Sequence, residues 1–327
     1  MLEIRDLTVS IGPHEIVHID ALDLPAGRRV GLVGESGSGK TMTAMSIVGL
    51  QPADAKVTGS ITFEGSELLG RSETEMAKVR GGDIGLILQD PARALDPMMR
   101  IGRQVSEAIR LHMNLSRKEV VDRVLSLLAQ VQLPDPEQLL RRYPHQLSGG
   151  QQQRVLIASA IACDPKLLIA DEPTTALDVT VQEGILELLV RLSDERGMGV
   201  LFVSHDLGVV RFVCEEIAVV YGGRLVEVGP TTSVVRTSRH RYTESLLAAN
   251  PGIASSDELE QYVGRRLDVI RGSVPALGDF PTGCRFRDRC DFATDACSEP
   301  PPTMISEHGH RFRCWNPAGG DVDAAAG

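Results

Sequence analysis

The sequence predicts an α/β fold with a parallel sheet, and three observations carry that prediction. An apolar run, "RRVGLVG", leads straight into a glycine-rich loop and then a helix, "KTMTAMSIVGL". Two further strand-like runs, "KLLIADE" and "GVLFVSH", flank the helix-like "TVQEGILELLVRLSDERG", so strands and helices alternate. Ahead of these two runs, from Pro91 to about Asp164, the periodicity is helical, clearest in "RKEVVDRVLSLLAQVQL", where apolar residues recur at three- and four-residue spacing.

Taken in order, the first thirty residues alternate apolar and polar positions, the period of half-buried strands, with a turn at Gly12-Pro13. The N-terminus "MLEIRDLTVS" carries charges where a secretion signal needs an apolar run. No apolar stretch approaches the ~18 residues of a membrane span, so a cytosolic protein is expected. At 327 residues the chain is long enough for two domains, and 42% hydrophobic residues is ordinary for a globular protein. A formal net charge of -10 argues against a general nucleic-acid binder, which shows a basic footprint. Beyond Ser238 the composition shifts toward proline, arginine and cysteine. The expected division is therefore a main domain over 1–237 with a helical subdomain over 91–164, a smaller unit over 238–316, and a disordered tail over 317–327.

The segment "GESGSGKT" comprises Gly34, Glu35, Ser36, Gly37, Ser38, Gly39, Lys40 and Thr41 and fits the phosphate-loop pattern. Its glycines and serines let backbone N–H groups turn inward around the β- and γ-phosphates of a nucleotide. Lys40 reaches the phosphate oxygens, and Thr41 offers its hydroxyl to Mg²⁺. "KLLIADEP" ends an apolar strand in two acids: Asp171 is placed to hold the metal's water shell, and Glu172 to align or deprotonate the attacking water. In "LSGGQ", Ser148, Gly149, Gly150 and Gln151 open an apparent helix, a second anion-seeking terminus. Two such ends in one chain make sense if the second serves a nucleotide held by another subunit. The bland alternatives are a glycine-serine linker, a solvated acidic turn and an ordinary serine cap.

With these residues in hand, the order of phosphate loop, "LSGGQ" and "LLIADEP" resembles the nucleotide-binding subunit of an ATP-binding cassette (ABC) transporter over roughly the first 235 residues. The resemblance implies a P-loop NTPase of the ABC ATPase type, working as a head-to-tail pair around ATP and Mg²⁺. It also implies roles for single residues. Gln89 in "LILQDP" matches the glutamine loop that senses metal and nucleotide beside the membrane subunits. Asp178 in "TTALD" matches the loop that crosses the dimer interface, and His205 in "LFVSHD" the switch histidine at the γ-phosphate. Alone, each has a structural reading: a polar loop residue, a helix N-cap and a satisfied histidine. One departure stands out: the first hairpin, "LTVSIGPHEIVHID", offers no aromatic side chain to stack on adenine, and Ile11 falls near the expected place.

The second unit narrows the branch. Tyr242, Thr243, Leu246, Leu247, Val274, Pro275, Gly283, Cys284, Arg289 and Cys290 resemble the C-terminal extension of ATP-binding subunits from oligopeptide, dipeptide and nickel importers. Four of the six cysteines, Cys284, Cys290, Cys297 and Cys314, fall in it and supply enough thiolates for a tetrahedral zinc or one iron-sulfur cluster. Their spacing lacks paired C-x₂₋₄-C knuckles, which disfavours zinc. Some importers of this branch hold a [4Fe-4S] cluster on these cysteines, and the resemblance implies one here; zinc and free thiols remain open. Cys163 and Cys214 are expected in the core.

The expected protein is thus an ATPase at the cytoplasmic face of the membrane. Its implied partners are a second, similar or identical ATPase subunit, two membrane permease subunits and, indirectly, a solute-binding protein, with no nucleic acid. The rivals are a soluble cassette ATPase acting on ribosomes or nucleic acid, and the ATPase of an exporter.

Overall fold

The computed structural model describes residues 1–175, 177–250, 269–306 and 309–319. The chain forms two compact units: Met1–Leu24, Arg29–Leu69 and Val203–Gly327 make the first, Pro25–Arg28 and Gly70–Phe202 the second. Of the tail expected to be disordered, 320–327 lies outside the described residues.

In the first unit β1 (Leu2–Ile11) and β2 (His14–Leu24) form an antiparallel hairpin whose turn places Gly12 at φ 56°. Alternation buries Leu2, Ile4, Leu7 and Val9. The beat skips at Asp6, which has φ 46° and marks a register shift against the neighbouring strand. The buried strand β3 (Arg29–Val33) leads through the glycine loop to α1 (Lys40–Ile47). Next, β4 (Ala55–Phe63) pairs with β1, and β5 (Ser66–Glu67) closes the edge.

The chain then enters the second unit with α2 (Glu73–Val79), β6 (Ile84–Ile87), α3 (Pro91–Ala94), α4 (Ile101–His112), α5 (Arg117–Gln130), α6 (Pro136–Leu139) and α7 (Gly149–Ala160). Sequence-level caps explain several starts: Ser116 and Glu119 form a reciprocal capping box on α5, as Ser72 and Glu75 do on α2. The fully buried β7 (Leu167–Asp171) runs parallel to β6. Asp178 caps α8 (Val179–Arg196), and Gly197, at φ 60°, ends it in the left-handed conformation that favours glycine. A further buried strand, β8 (Gly199–Ser204), follows, and in sheet order β8, β7 and β6 are neighbours.

Back in the first unit lie α9 (Leu207–Val213), β9 (Glu216–Tyr221), β10 (Arg224–Pro230), α10 (Thr231–Arg236), α11 (Arg241–Ala248), β11 (Met304–Ile305) and β12 (Arg311–Phe312). The strands of this unit run in the order β5-β4-β1-β2-β10-β9-β3. Because β12 pairs with β10, the cysteine-bearing C-terminal segment is stitched into the same sheet as the glycine loop's strand.

A buried polar knot fixes that stitch. Glu227, 1% exposed, accepts from the backbone N–H groups of Arg239 (2.6 Å) and His240 (3.0 Å), and its carboxylate lies 2.7 Å from His310 Nε2. His240 caps α11 by accepting from the Tyr242 N–H at 3.1 Å. Burial pushes the His240 imidazole down to about 4 from 6.5, with the Glu227 charge opposing. The folded protein thus refuses a proton that the unfolded chain accepts. Stability from this group is full above pH 6.5 and falls between pH 6.5 and about 4, by on the order of 3 kcal/mol. Urea melts at neutral and mildly acid pH check it: His240→Asn keeps a capping acceptor and should flatten this slope.

Candidate functional site

In the first unit, the glycine loop shows why its residue types are needed. A Cβ on Gly34 would sit 2.1 Å from the Val220 carbonyl oxygen, and Gly39 has φ 96° with Val17 packed against it. The loop therefore lies flush on the sheet, and α1 starts at Lys40 without a side-chain cap. Its first N–H groups carry the positive end of the helix dipole. Lys40, 5% exposed, donates from Nζ to the carbonyls of Gly34 (2.8 Å) and Glu35 (3.0 Å). Ser38 is 1% exposed and its hydroxyl is a buried polar atom with no hydrogen-bond partner. Such an orphan costs about 1–3 kcal/mol unless a ligand or water satisfies it. A narrow cradle, a buried ammonium and an orphaned hydroxyl are chemistry that fits a phosphate group. Thr41 follows in the first turn of α1.

In the second unit, β7 delivers Asp171, 2% exposed, at its end. Glu172 comes next at φ 48°, a left-handed conformation that costs a non-glycine residue roughly 1–2 kcal/mol. That turn directs its carboxylate to two donors: Gln89 Nε2 and Thr175 Oγ1 each lie 2.8 Å from Oε2. Gln89, exposed just beyond β6, and Glu172 are thus brought together although 83 residues separate them. The two donors hold in one place a carboxylate, a group able to take a proton from water.

Also in the second unit, Ser148 caps α7. Its hydroxyl accepts from the Gln151 N–H at 3.3 Å, and the Gln151 side-chain oxygen accepts from the Ser148 N–H at 3.1 Å. The plain cap reading is therefore realised within the single chain. Gly150 serves helix packing. A Cβ there would meet Val181 at 2.6 Å, so glycine lets α7 and α8 approach. Asp178 accepts from the Val181 N–H at 3.0 Å, the N-cap reading again. Ser148 and Asp178 are both at the surface and cap helices whose first turns touch.

In the first unit, His205 is exposed after β8, directly before Asp206, which caps α9 by accepting from the Gly208 N–H at 2.8 Å. Ile11 is half-buried at the end of β1, paired with His14 across the hairpin.

The cysteine-site expectations find no support among the described residues. Cys284, Cys290, Cys297 and Cys314 are near enough for the other three to influence the charge on Cys284, and the Cys284 N–H donates to the Cys297 carbonyl at 3.0 Å. Yet all six cysteines are free, and among the described residues no three His, Cys, Asp or Glu side chains converge in an arrangement that could hold a metal ion. Burial pushes the Cys284 thiol up to about 11. The arrangement supports neither the [4Fe-4S] cluster nor zinc. Cys214 is a core thiol, 5% exposed, whereas Cys163 is only half-buried in the turn after α7.

Comparison with known proteins gives the family. The family described as "ABC transporter" matches residues 17–175. A Brucella ovis relative, "Putative peptide import ATP-binding protein", is 44% identical over 311 residues, covering 92% of this chain and 91% of its own. A Sinorhizobium fredii relative, "Probable peptide ABC transporter ATP-binding protein", is 42% identical over 325 residues, covering 96% and 94%. This chain belongs to the ABC transporter family. It is an ABC ATPase, and residues 226–297 match the family described as "Oligopeptide/dipeptide transporter, C-terminal region". Among solved structures, the ATP-binding cassette MJ0796, a dimer in a post-hydrolysis state bound to ADP and Pi, is 30% identical with a TM-score of 0.63, covering 71% of this chain and 99% of its own. The cbiO1 structure from Clostridium perfringens, part of the ABC transporter complex cbiONQ, is 28% identical with a TM-score of 0.62, covering 71% and 89%.

The sequence reading of this ABC ATPase missed contacts that three residues make with its motifs. Thr175 shares Glu172 with Gln89, and a threonine three residues after the acid was the available signal. Tyr242 and Arg289 both hold Glu35 of the glycine loop, and nothing local in the sequence announces either contact.

Proposed function

We propose that this ABC ATPase powers import of peptides or a related small solute through separate membrane subunits, at the cytoplasmic face of the membrane. The observation that carries the reading is the joint occurrence, in one chain, of the cassette match and the oligopeptide/dipeptide C-terminal region, at 42–44% identity to relatives named for peptide import or transport. Among the described residues no helix is long and apolar enough to cross a membrane, which is compatible with separate permease subunits.

In this reading the loop from Gly34 to Thr41 cradles the phosphates of ATP, with Lys40 supplying positive charge. Thr41, Gln89 and Asp171 serve Mg²⁺, which when bound neutralises phosphate charge. Glu172 takes the proton of the attacking water, and His205 contacts the γ-phosphate. Ser148, Gly149, Gly150 and Gln151 face the nucleotide of a second ATPase subunit, with Asp178 at the same interface. Support for a paired arrangement comes from Ser148 and Asp178 capping adjoining helix ends at the surface while the phosphate loop has its own anion-seeking helix start. Two permease subunits receive the motion near Gln89, and a solute-binding protein acts indirectly. No step passes through a metal at the cysteines.

The test is reconstitution with the permease subunits and a solute-binding protein in lipid vesicles. Peptides should stimulate ATP hydrolysis and accumulate inside. Stimulation by some other solute class, with none by peptides, would overturn the substrate assignment.

A further inference from the structure

Glu35, the second residue of the glycine loop, is gripped from behind by the C-terminal segment of its own unit. Arg289 forks onto its carboxylate, with Nη1 2.6 Å from Oε2 and Nη2 3.0 Å from Oε1. The Arg289 side chain is 6% exposed and the Glu35 side chain 25%, so the pair is largely screened from water. Its guanidinium is fixed in turn: Nε donates to the Arg271 carbonyl at 2.7 Å, and the cation lies 5.7 Å and 5.9 Å from the ring centres of Tyr221 and Phe286. Tyr242 provides the second grip. Fully buried, it accepts the Glu35 N–H on its hydroxyl at 2.8 Å. Its ring packs 4.6 Å from Tyr221 and 5.3 Å from Phe286, centre to centre.

The other face of the same residue touches the chemistry, because the Glu35 carbonyl accepts from Lys40 Nζ at 3.0 Å. One residue therefore has its side chain, N–H and carbonyl all committed, two of them to the C-terminal segment and one to the phosphate-binding lysine. We propose that Arg289 and Tyr242 are positioning residues for the phosphate loop, so that the C-terminal segment sets nucleotide affinity through Glu35. The inference rests on the reading of Gly34–Thr41 as that loop, and goes beyond it by assigning the far C-terminal segment a part in ATP binding.

An ion pair that served only to hold the fold together would alter melting and leave nucleotide affinity alone. Loosening a preorganised loop weakens the ground and transition states alike, which raises KM without lowering kcat. The test is ATPase kinetics and nucleotide titration of the full chain with Mg-ATP. Arg289→Gln should raise KM about tenfold, equivalent to about 1.4 kcal/mol, with kcat nearly unchanged. Arg289→Lys, which keeps the charge but loses the fork, should fall between Arg289→Gln and wild type. Tyr242→Phe removes one acceptor and keeps the ring packing; a rise in KM of about threefold is expected. Arg287→Gln alters a neighbouring arginine whose ion pair is with Asp288 and should behave as wild type.

An unchanged KM in folded Arg289→Gln and Tyr242→Phe overturns the proposal, as does a kcat loss at constant KM. If Arg289→Gln does not fold, Tyr242→Phe decides alone. Lys40→Ala separates the two readings: it should abolish nucleotide binding. Retained binding would sink the phosphate-loop reading and this proposal with it, whereas lost binding beside wild-type positioning variants sinks this proposal only.

Discussion

Glu172→Gln should slow ATP turnover by about 10²–10⁴-fold while leaving nucleotide binding intact, the range attached to losing a positioned general base. The argument starts from the backbone. At φ 48° Glu172 sits in a conformation that glutamate adopts only when surroundings impose it, and the imposed turn puts Oε2 2.8 Å from both Gln89 and Thr175. Glutamine has the same shape, so the turn, the strand end and Asp171 stay in place. Its side-chain oxygen still accepts a hydrogen bond, but the amide cannot take a proton from water. Because hydrolysis is what reopens the proposed dimer, the variant should also accumulate as a closed, ATP-bound pair. Phosphate release and size-exclusion chromatography with and without ATP measure both effects. Hydrolysis at the wild-type rate would remove Glu172 from its role.

The second large effect is expected at Ser148, and the capping geometry shows how to isolate it. Replacement by alanine would confound two losses, since a serine cap is itself worth about 0.5–2 kcal/mol. Ser148→Asp avoids this: aspartate caps a helix as well as serine, so α7 and its thermal midpoint should be preserved. What changes is charge, since a carboxylate now faces the site where the proposed partner presents its γ-phosphate. Losing a single preorganised donor lowers kcat by about 10²–10³, and like-charge repulsion adds to that loss. Nucleotide should still bind the variant's own phosphate loop at full affinity, because the residues of that loop, Gly34 to Thr41, are unaltered. A folded Ser148→Asp protein with wild-type turnover would contradict a composite site.

Elements whose signals are local were legible in the sequence. The strand, glycine loop and helix from Arg29 to Ile47, the helical periodicity of α5 and the Asp178 cap of α8 all follow from neighbours within a few residues. The motif order alone also gave the family. Contacts that depend on the tertiary fold were not legible. Glu35 meets Tyr242 and Arg289 across 207 and 254 residues, and such pairs leave no trace in periodicity or capping chemistry. The left-handed turn at Glu172 was equally silent, because glutamate gives no hint of a positive φ as glycine does.

The cysteines are the opposite case. Crowding in the chain suggested a ligand set, but coordination requires side chains that converge, and sequence spacing does not report direction. Cys163 departs from its expected core position: α7 ends at Ala160, and in the turn that follows Ile161 and Ala162 are buried while Cys163 is only half-buried.

Turnover per subunit, followed as the purified chain is diluted, tests most directly whether one copy completes the reaction site of another. The account predicts a rate per subunit that falls toward zero as dimers dissociate and recovers on concentration. A monomeric sample that hydrolyses ATP at an undiminished rate per subunit would contradict it.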